Sequence, residues 1–394
     1  MLTSLALIFL IGLLLGGIFQ KLRLPSLLGM LITGMILGPY ALNLLDPSIL
    51  AISADLRQLA LIIILTRAGL SLNIRDLKKV GRPAILLCFV PACFEIAGMI
   101  LLAPPLLGIS RLDAAIMGAV VGAVSPAVIV PRMIRMMEHG KGTDKSIPQM
   151  ILAGASVDDV FVIVLFTSFT GLAQGGNFSL VSLLEVPVSI ILGLGAGIVI
   201  GLGLGIFFQK VHLRDSVKVL IMLSIAFLLV AAENVCKGIL PFSGLLAVMS
   251  LGIALQKIRP DASERLSAKF SKLWVAAELV LFVLVGAAVD LRYALKFGLI
   301  MVAVILEALI FRMIGVGVCV IATPLTFRER LFCAVAYLPK ATVQAAIGGV
   351  PLAMGLSCGN IVLTAAVLAI LITAPIGALL IDTLSGRLVS TSPH

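Results

Sequence analysis

The sequence predicts an all-α polytopic membrane protein of about thirteen spanning helices, built from two inverted repeats with crossed, broken helices. Three observations carry that prediction. Hydrophobic residues make up 61% of the chain and charged residues 12%, a balance suited to a chain immersed in lipid and hard to reconcile with a water-soluble globule. The apolar residues come in runs of about 17–25, the length a helix needs to cross a bilayer, and do not alternate with polar ones as barrel strands would. Two distant stretches also share one pattern of charge and proline, as the halves of a repeat should.

In chain order the expected spans are 2–20, 25–44, 57–74, 83–106, 112–136, 147–172, 180–208, 216–233, 238–256, 270–290, 296–321, 329–353 and 359–382. The first has no basic residue ahead of it and Lys21 and Arg23 behind it, so it reads as a span rather than a cleaved leader. The net charge of +10 is unevenly placed: the odd-numbered loops and the tail hold most of the lysines and arginines, while the opposite side holds Arg57, Arg111, Lys237, Arg292 and Lys296. That bias predicts a cell membrane protein with its N-terminus outside and its C-terminus in the cytoplasm, and makes nucleic acid an unnecessary partner. Arg67, Arg312 and Lys340 remain, inside spans. The six cysteines show no CxxC or Cys/His spacing, which argues for packing rather than a disulfide framework or zinc site.

The repeat begins with Leu65-Thr-Arg-Ala-Gly-Leu-Ser-Leu72 and Leu284-Val-Gly-Ala-Ala-Val-Asp-Leu291. Each is followed by a basic loop and a charged span, holding Glu95 in one copy and Glu307 with Arg312 in the other. Each copy then reaches a proline-interrupted span, at Ser125-Pro126 and at Pro339-Lys340. The third and tenth spans run in opposite directions, so the copies are inverted, an arrangement typical of secondary transporters whose broken helices meet at the midplane. Pro126 and Pro339 should free carbonyls one turn back, near Gly122 and Val335, where they could face a cation in a shared cavity.

The stretch that calls most strongly for a function is Ala153–Phe166, where Asp158 and Asp159 sit in an apolar run without an adjacent base. A charge at the centre of a membrane helix costs about 2.5–3.5 kcal/mol on insertion scales, so such acids mark ion or proton sites by default. Neighbouring helical positions point about 100° apart, so the two aspartates need different partners. Asp159 shares a face with Ser156 and, with the Ser125 hydroxyl and the backbone near Gly122, offers hard oxygens suited to a small alkali cation such as sodium or lithium. A carboxylate that can carry either a proton or a cation is an antiport site. Asp158 should be neutralised by Lys340 or Arg312, for which Glu95 and Glu307 compete. Glu307 lies five residues from Arg312, a poor offset on one helix, which favours Glu95 with Arg312 across the repeats. Glu278 is a further acid inside a span, placed either to line the ion pathway or to bond structurally. No resident cofactor is expected, and the chain reads as a transporter rather than an enzyme. An aspartyl protease needs its acids on facing helices, which adjacent residues cannot provide.

The Ala-Ser-Val-Asp158-Asp159 stretch, the Gly-Ala-Val-Ser125-Pro126-Ala-Val-Ile-Val-Pro131 break and Leu-Pro339-Lys340-Ala-Thr-Val-Gln-Ala-Ala-Ile-Gly348 resemble the two-aspartate branch of the monovalent cation/proton antiporter superfamily, and within it the sodium/hydrogen exchanger domain-containing proteins. The resemblance covers essentially the whole chain. It implies the sodium/proton antiporter fold, a homodimer in membrane lipid, and sodium or lithium exchanged for protons by an elevator-like core, with Asp159 as the ion-binding acid and Asp158 as its structural or proton-linked neighbour. Dimerisation helices are then expected over 1–56 and 180–265, a transport core over 57–179 and 266–384, and a cytoplasmic tail over 385–394. The glycine-rich run Gly193–Gly205 suits close packing in a dimerisation region. A potassium/proton antiporter or a sodium-coupled organic-anion carrier of the same topology is the alternative. Arg312 stands where bacterial electrogenic members have lysine, and Asp158 where electroneutral members often have asparagine, so the resemblance leaves the charge balance of transport open.

Overall fold

The computed structural model describes residues 1–71, 81–174, 180–236, 240 and 242–390, apart from the side chains at 156, 160, 180–187, 234, 291 and 293–296. The basic-loop residues Arg75, Lys78 and Lys79, the motif residue Leu72, Lys237, and the side chains of Ser156 and Lys296 lie outside the described residues. Those described form helices and no strands. In order these are α1 (Leu2–Lys21), α2 (Ser26–Leu37), α3 (Pro47–Ala51), α4 (Ser53–Ser71), α5 (Arg82–Leu87), α6 (Val90–Leu107), α7 (Arg111–Val121), α8 (Pro126–Glu138) and α9 (Ile147–Ala173). There follow α10 (Leu180–Lys210), α11 (Asp215–Cys236), α12 (Gly244–Ile258), α13 (Pro260–Ala287), α14 (Leu291–Val320), α15 (Phe327–Ala336), α16 (Thr342–Ile347), α17 (Val350–Ala353) and α18 (Gly359–Leu388).

Nine helical stretches among the described residues are long and apolar enough to cross a membrane, and three shorter apolar ones lie at Ser26–Leu37, Gly244–Ile258 and Thr342–Ala353. Pro339 accounts for part of the difference from the expected thirteen full spans, splitting one into α15 and α16, whereas the stretch that Pro126 splits into α7 and α8, Arg111–Glu138, is one of the nine; the unwound backbone lies at 122–125 and 337–341.

The two entry helices start alike. Ser110 Oγ accepts from the Asp113 amide at 3.0 Å while Asp113 accepts from the Ser110 amide, a capping box that opens α7. Thr326 and Glu329 make the same reciprocal pair at the start of α15, at 3.3 and 2.7 Å. Just before Ser110, Gly108 adopts φ +67°, the left-handed conformation glycine reaches without strain, and so closes α6. In each copy the break follows about three turns after the cap, so local sequence signals place both interruptions at equivalent depth.

The chain forms two compact units. The first comprises residues 1–54, 74–174 and 279–394, and within it α14 packs along α6, α9 against α7, and α18 against α15 and α7. Its interior holds both helix breaks. The second comprises residues 55–73 and 175–278 and is organised by α10 against α12. There Gly193, Gly197 and Gly201 lie so close to α12 that a methyl at each would strike backbone or side-chain atoms of Ser243, Ala247, Ser250 or Leu251. Gly195 and Gly203 face open space, so only one of the two glycine faces on α10 is used for this packing.

Candidate functional site

The site lies wholly within the first unit, where the two breaks come together. Ser125 N donates to Pro339 O at 2.8 Å, and the Ser125 and Thr342 hydroxyl oxygens are 3.2 Å apart. Each unwound strand therefore supplies hydrogen-bonding atoms that the other uses, as backbone without helical bonds in a dry interior must.

Arg312, on α14, is fully buried and binds both breaks at once. Its Nε donates to Tyr337 O at 2.9 Å in the second break, and Nη1 donates to Gly122 O in the first. Nη1 also reaches Glu95 Oε2 at 2.8 Å, and Nη2 reaches Asp158 Oδ2 at 2.8 Å. The planar guanidinium suits this work, because its five donors point in fixed directions and its charge cannot be titrated away. Its carbon lies 5.5 Å from the centre of the Tyr337 ring. Lys340, also fully buried, places Nζ 2.6 Å from Glu95 Oε2, while its amide donates to Thr373 Oγ1 at 2.9 Å. Asp158 Oδ2 further accepts from Val124 N at 2.8 Å.

The charge count is instructive. Glu95, Asp158, Arg312 and Lys340 form a closed cluster of two acids and two bases, all buried. Asp159 lies outside it. Its side chain is partly buried, Oδ1 is shielded from solvent without a hydrogen-bond partner, and no described ion pair reaches it. The sequence left the partner of Asp158 open between Lys340 and Arg312; in the structure it is Arg312, and Glu95 bridges both bases.

Two expectations need correction. The carbonyl at Gly122 is not left without a partner, because it accepts from Arg312, and the Val335 carbonyl accepts from Leu338 N at 3.2 Å. The freed carbonyls are claimed by the protein's own donors, since unpaired carbonyls in a dry interior are costly. Glu307 does not compete for the bases: its Oε2 is buried without a hydrogen-bond partner, consistent with its poor helical offset from Arg312. The Ser125 hydroxyl is engaged with Thr342. Pro126 opens α8, and Pro339 lies in the unwound stretch, as break-forming prolines should. Glu278 belongs to the second unit, where Arg67 is the charge that bears on it.

Sequence reasoning missed Gln344, which donates to Val121 O at 3.1 Å and Ala123 O at 2.8 Å, and Thr373, which satisfies the Lys340 amide. Gln344 does stand in the run that follows Pro339, and a glutamine in an otherwise apolar run was the available signal. Among the described residues no group of three or more histidine, cysteine, aspartate or glutamate side chains is placed to hold a metal ion.

Two broken helices that meet at a buried charge cluster define the class, a secondary-transporter fold. The model of the transmembrane sodium/hydrogen exchanger family matches residues 5–385. The chain is 33% identical over 387 residues to sodium/hydrogen exchanger 9B2 of Mus musculus, covering 94% of this chain and 70% of that protein. It is 31% identical to sodium/hydrogen exchanger 9B1 of Homo sapiens, covering 95% of this chain and 76% of that one. Among solved structures, the sodium proton antiporter MjNhaP1 from Methanocaldococcus jannaschii at pH 8 superposes with a TM-score of 0.83, 21% sequence identity and 98% of both chains covered, which establishes the shared fold. The chain belongs to the sodium/hydrogen exchanger family.

Proposed function

We propose that this protein is a sodium(lithium)/proton antiporter in which Asp159 carries, in turn, a proton or a monovalent cation. One observation supports this reading above the rest: each aspartate has a buried oxygen without a hydrogen-bond partner, but Asp158 is also bound to Arg312, while among the described residues no base pairs with Asp159. A carboxylate already neutralised by arginine has little reason to take up either ion. One without a base must be neutralised by a proton or a cation, and the two exclude each other. Exchange then follows if a transport core over 57–179 and 266–384 moves between two faces of the membrane, in the elevator manner the resemblance implies, with the helices of 1–56 and 180–265 contributing to a homodimer. Residence in the cell membrane with the N-terminus outside belongs to the same proposal, supported by the placement of the basic residues.

The test is exchange measured in proteoliposomes. Asp159→Asn removes the charge at nearly constant volume, and we expect it to abolish cation-dependent proton movement while leaving the melting temperature close to that of the parent. Retained exchange would overturn the assignment. Fluxes driven by sodium, lithium and potassium gradients, with and without a clamped membrane potential, identify the ion and the charge moved per cycle.

A further inference from the structure

We infer that Gln149 is a waypoint for the transported cation, lending it a neutral oxygen on the route between the start of α9 and Asp159. The inference rests on the antiport reading above and extends it to the path the ion takes.

An acid inside a membrane protein that takes up ions needs an aqueous approach, because lipid offers none. Along the first half of α9 the structure leaves a narrow strip for one. Of residues Ile147–Ala155, all are buried except Gln149 and Leu152, which are partly exposed. Leu152 follows Gln149 by three positions and Asp159 follows Leu152 by seven, offsets that keep side chains on one face of a helix. Around Asp159, itself partly exposed, the strip widens to take in Val157 and Phe161. A glutamine and an aspartate turned toward hydrocarbon would both be costly, so the strip that carries them suits water better than lipid. Gln149 stands on it about 15 Å before Asp159.

The ordinary use of a glutamine at this position is missing. Ser146 and Gln149 have the spacing of a capping box, like those that open α7 and α15. Here the box is not made: Ser146 adopts φ +53° and its side chain caps nothing, and Gln149 Oε1 is shielded from solvent with no hydrogen-bond partner. A buried amide oxygen without a donor is expensive to keep. It is also a hard, neutral ligand of the kind an alkali cation accepts. Its place on α9 gives it a use, because the unpaired amides of the first turn make that end of the helix positive and oppose a cation passing it. A carbonyl dipole there offsets the opposition. The side chain has several rotatable bonds, so its oxygen can meet an ion in the strip while the helix stays in place.

Gln149→Leu removes the oxygen at similar size, and Gln149→Glu restores an oxygen and adds a charge. Exchange is measured at rising sodium concentration in two vesicle preparations of opposite orientation, one presenting the start of α9 to the sodium and one the other face, alongside the melting temperature. In the leucine variant we expect the half-saturating sodium concentration to rise at least about threefold on the side where α9 begins. The rate at saturating sodium, the value from the other face and the melting temperature should stay at the parent level. The glutamate variant should bring the affected value back to that of the parent or below it. An equal change on both faces, no change on either, or a lower maximal rate with unaltered half-saturation overturns the role. Loss of fold in both variants does the same and assigns Gln149 to stability. If only the leucine variant fails to fold, a glutamate variant with a raised value on the α9 side overturns the role, and one with a lowered value supports it. A parent protein that exchanges no alkali ion sinks the antiport reading and this inference with it. A parent that exchanges, with both variants matching it from both faces, sinks only the role of Gln149.

Discussion

The two faces of α9 carry neighbouring residues of the same type in opposite circumstances. Asp158 is fully buried and held by Arg312 and the Val124 amide through Oδ2, though its Oδ1 has no partner; Asp159, one residue on, has no basic partner among the described residues. Composition and hydropathy are the same for both, so the difference comes entirely from what the fold delivers to each face. Identical chemistry can thus be structural at one position and exchangeable at the next, according to whether an arginine that cannot lose its proton has already neutralised it. The Asp159→Asn comparison tests the open face; removing groups from the closed face sharpens the contrast.

The largest effect on folding is expected at Arg312. Truncation to alanine leaves Asp158 without its base, weakens the neutralisation of Glu95, and strips a donor from the Tyr337 carbonyl in one break and the Gly122 carbonyl in the other. Breaking a buried ion pair by removing one partner costs about 3–5 kcal/mol. We expect Arg312→Ala to lower the melting temperature in detergent far more than Asp159→Asn does. A melting temperature at the parent value, with transport lost, would contradict the structural role of the closed face.

Gly154 lies one turn before Asp158 and shares its face. A methyl there would collide with the Tyr337 hydroxyl and come within 2.7 Å of Leu87 Cβ, whereas one at Gly171, further along the same helix, would meet nothing within 4 Å. Overpacking of this kind costs about 1–3 kcal/mol, while alanine for glycine in an open helical position gains roughly 0.5–1 kcal/mol. Melting curves should therefore separate the two substitutions in sign: Gly154→Ala destabilises and Gly171→Ala does not. Equal responses would mean that the closed face is less tightly packed than its distances indicate.

Much of this site was legible in the sequence because lipid makes polar residues conspicuous. Asp158, Asp159, Glu95, Arg312 and Lys340 stand out in apolar runs, and Pro126 and Pro339 mark where backbone must unwind. Helical offset alone directed Arg312 away from Glu307 and toward Glu95, which lies 217 positions distant in the chain. The pairing of each base was not legible, because Lys340 and Arg312 had two acids apiece within plausible reach and only the packing of α14 against α6 decides between them. The fate of the freed carbonyls was hidden for a related reason. Proline shows where a carbonyl loses its helical partner, but the donors that replace it, Gln344 and Arg312, come from about 190–220 residues away and carry no local mark.

The smallest expected effect concerns an ion pair outside the apolar interior, and it bounds what charge pairing contributes where water is near. Glu329, in the first turn of α15, accepts from Lys145 Nζ at 2.8 Å and from the Thr326 amide at 2.7 Å. Burial pushes the Glu329 carboxyl up, but the bonds from Lys145 and Thr326 outweigh it and hold the group below its ordinary value of 4.5. A carboxyl lowered on folding stabilises the protein above the unfolded value and ceases to do so as the pH falls through the folded one. Glu329 is almost fully enclosed but Lys145 is about a quarter exposed, so water reaches the pair from one side and its contribution is on the order of 1 kcal/mol. Glu329→Gln should therefore lower the melting temperature slightly at pH 7, with the gap to the parent closing as the pH is taken below 4.5. A gap that stayed constant across that range would assign the loss to the helix cap rather than to the charge. A gap as large as that of Arg312→Ala would remove the distinction between a pair reached by water and one sealed from it.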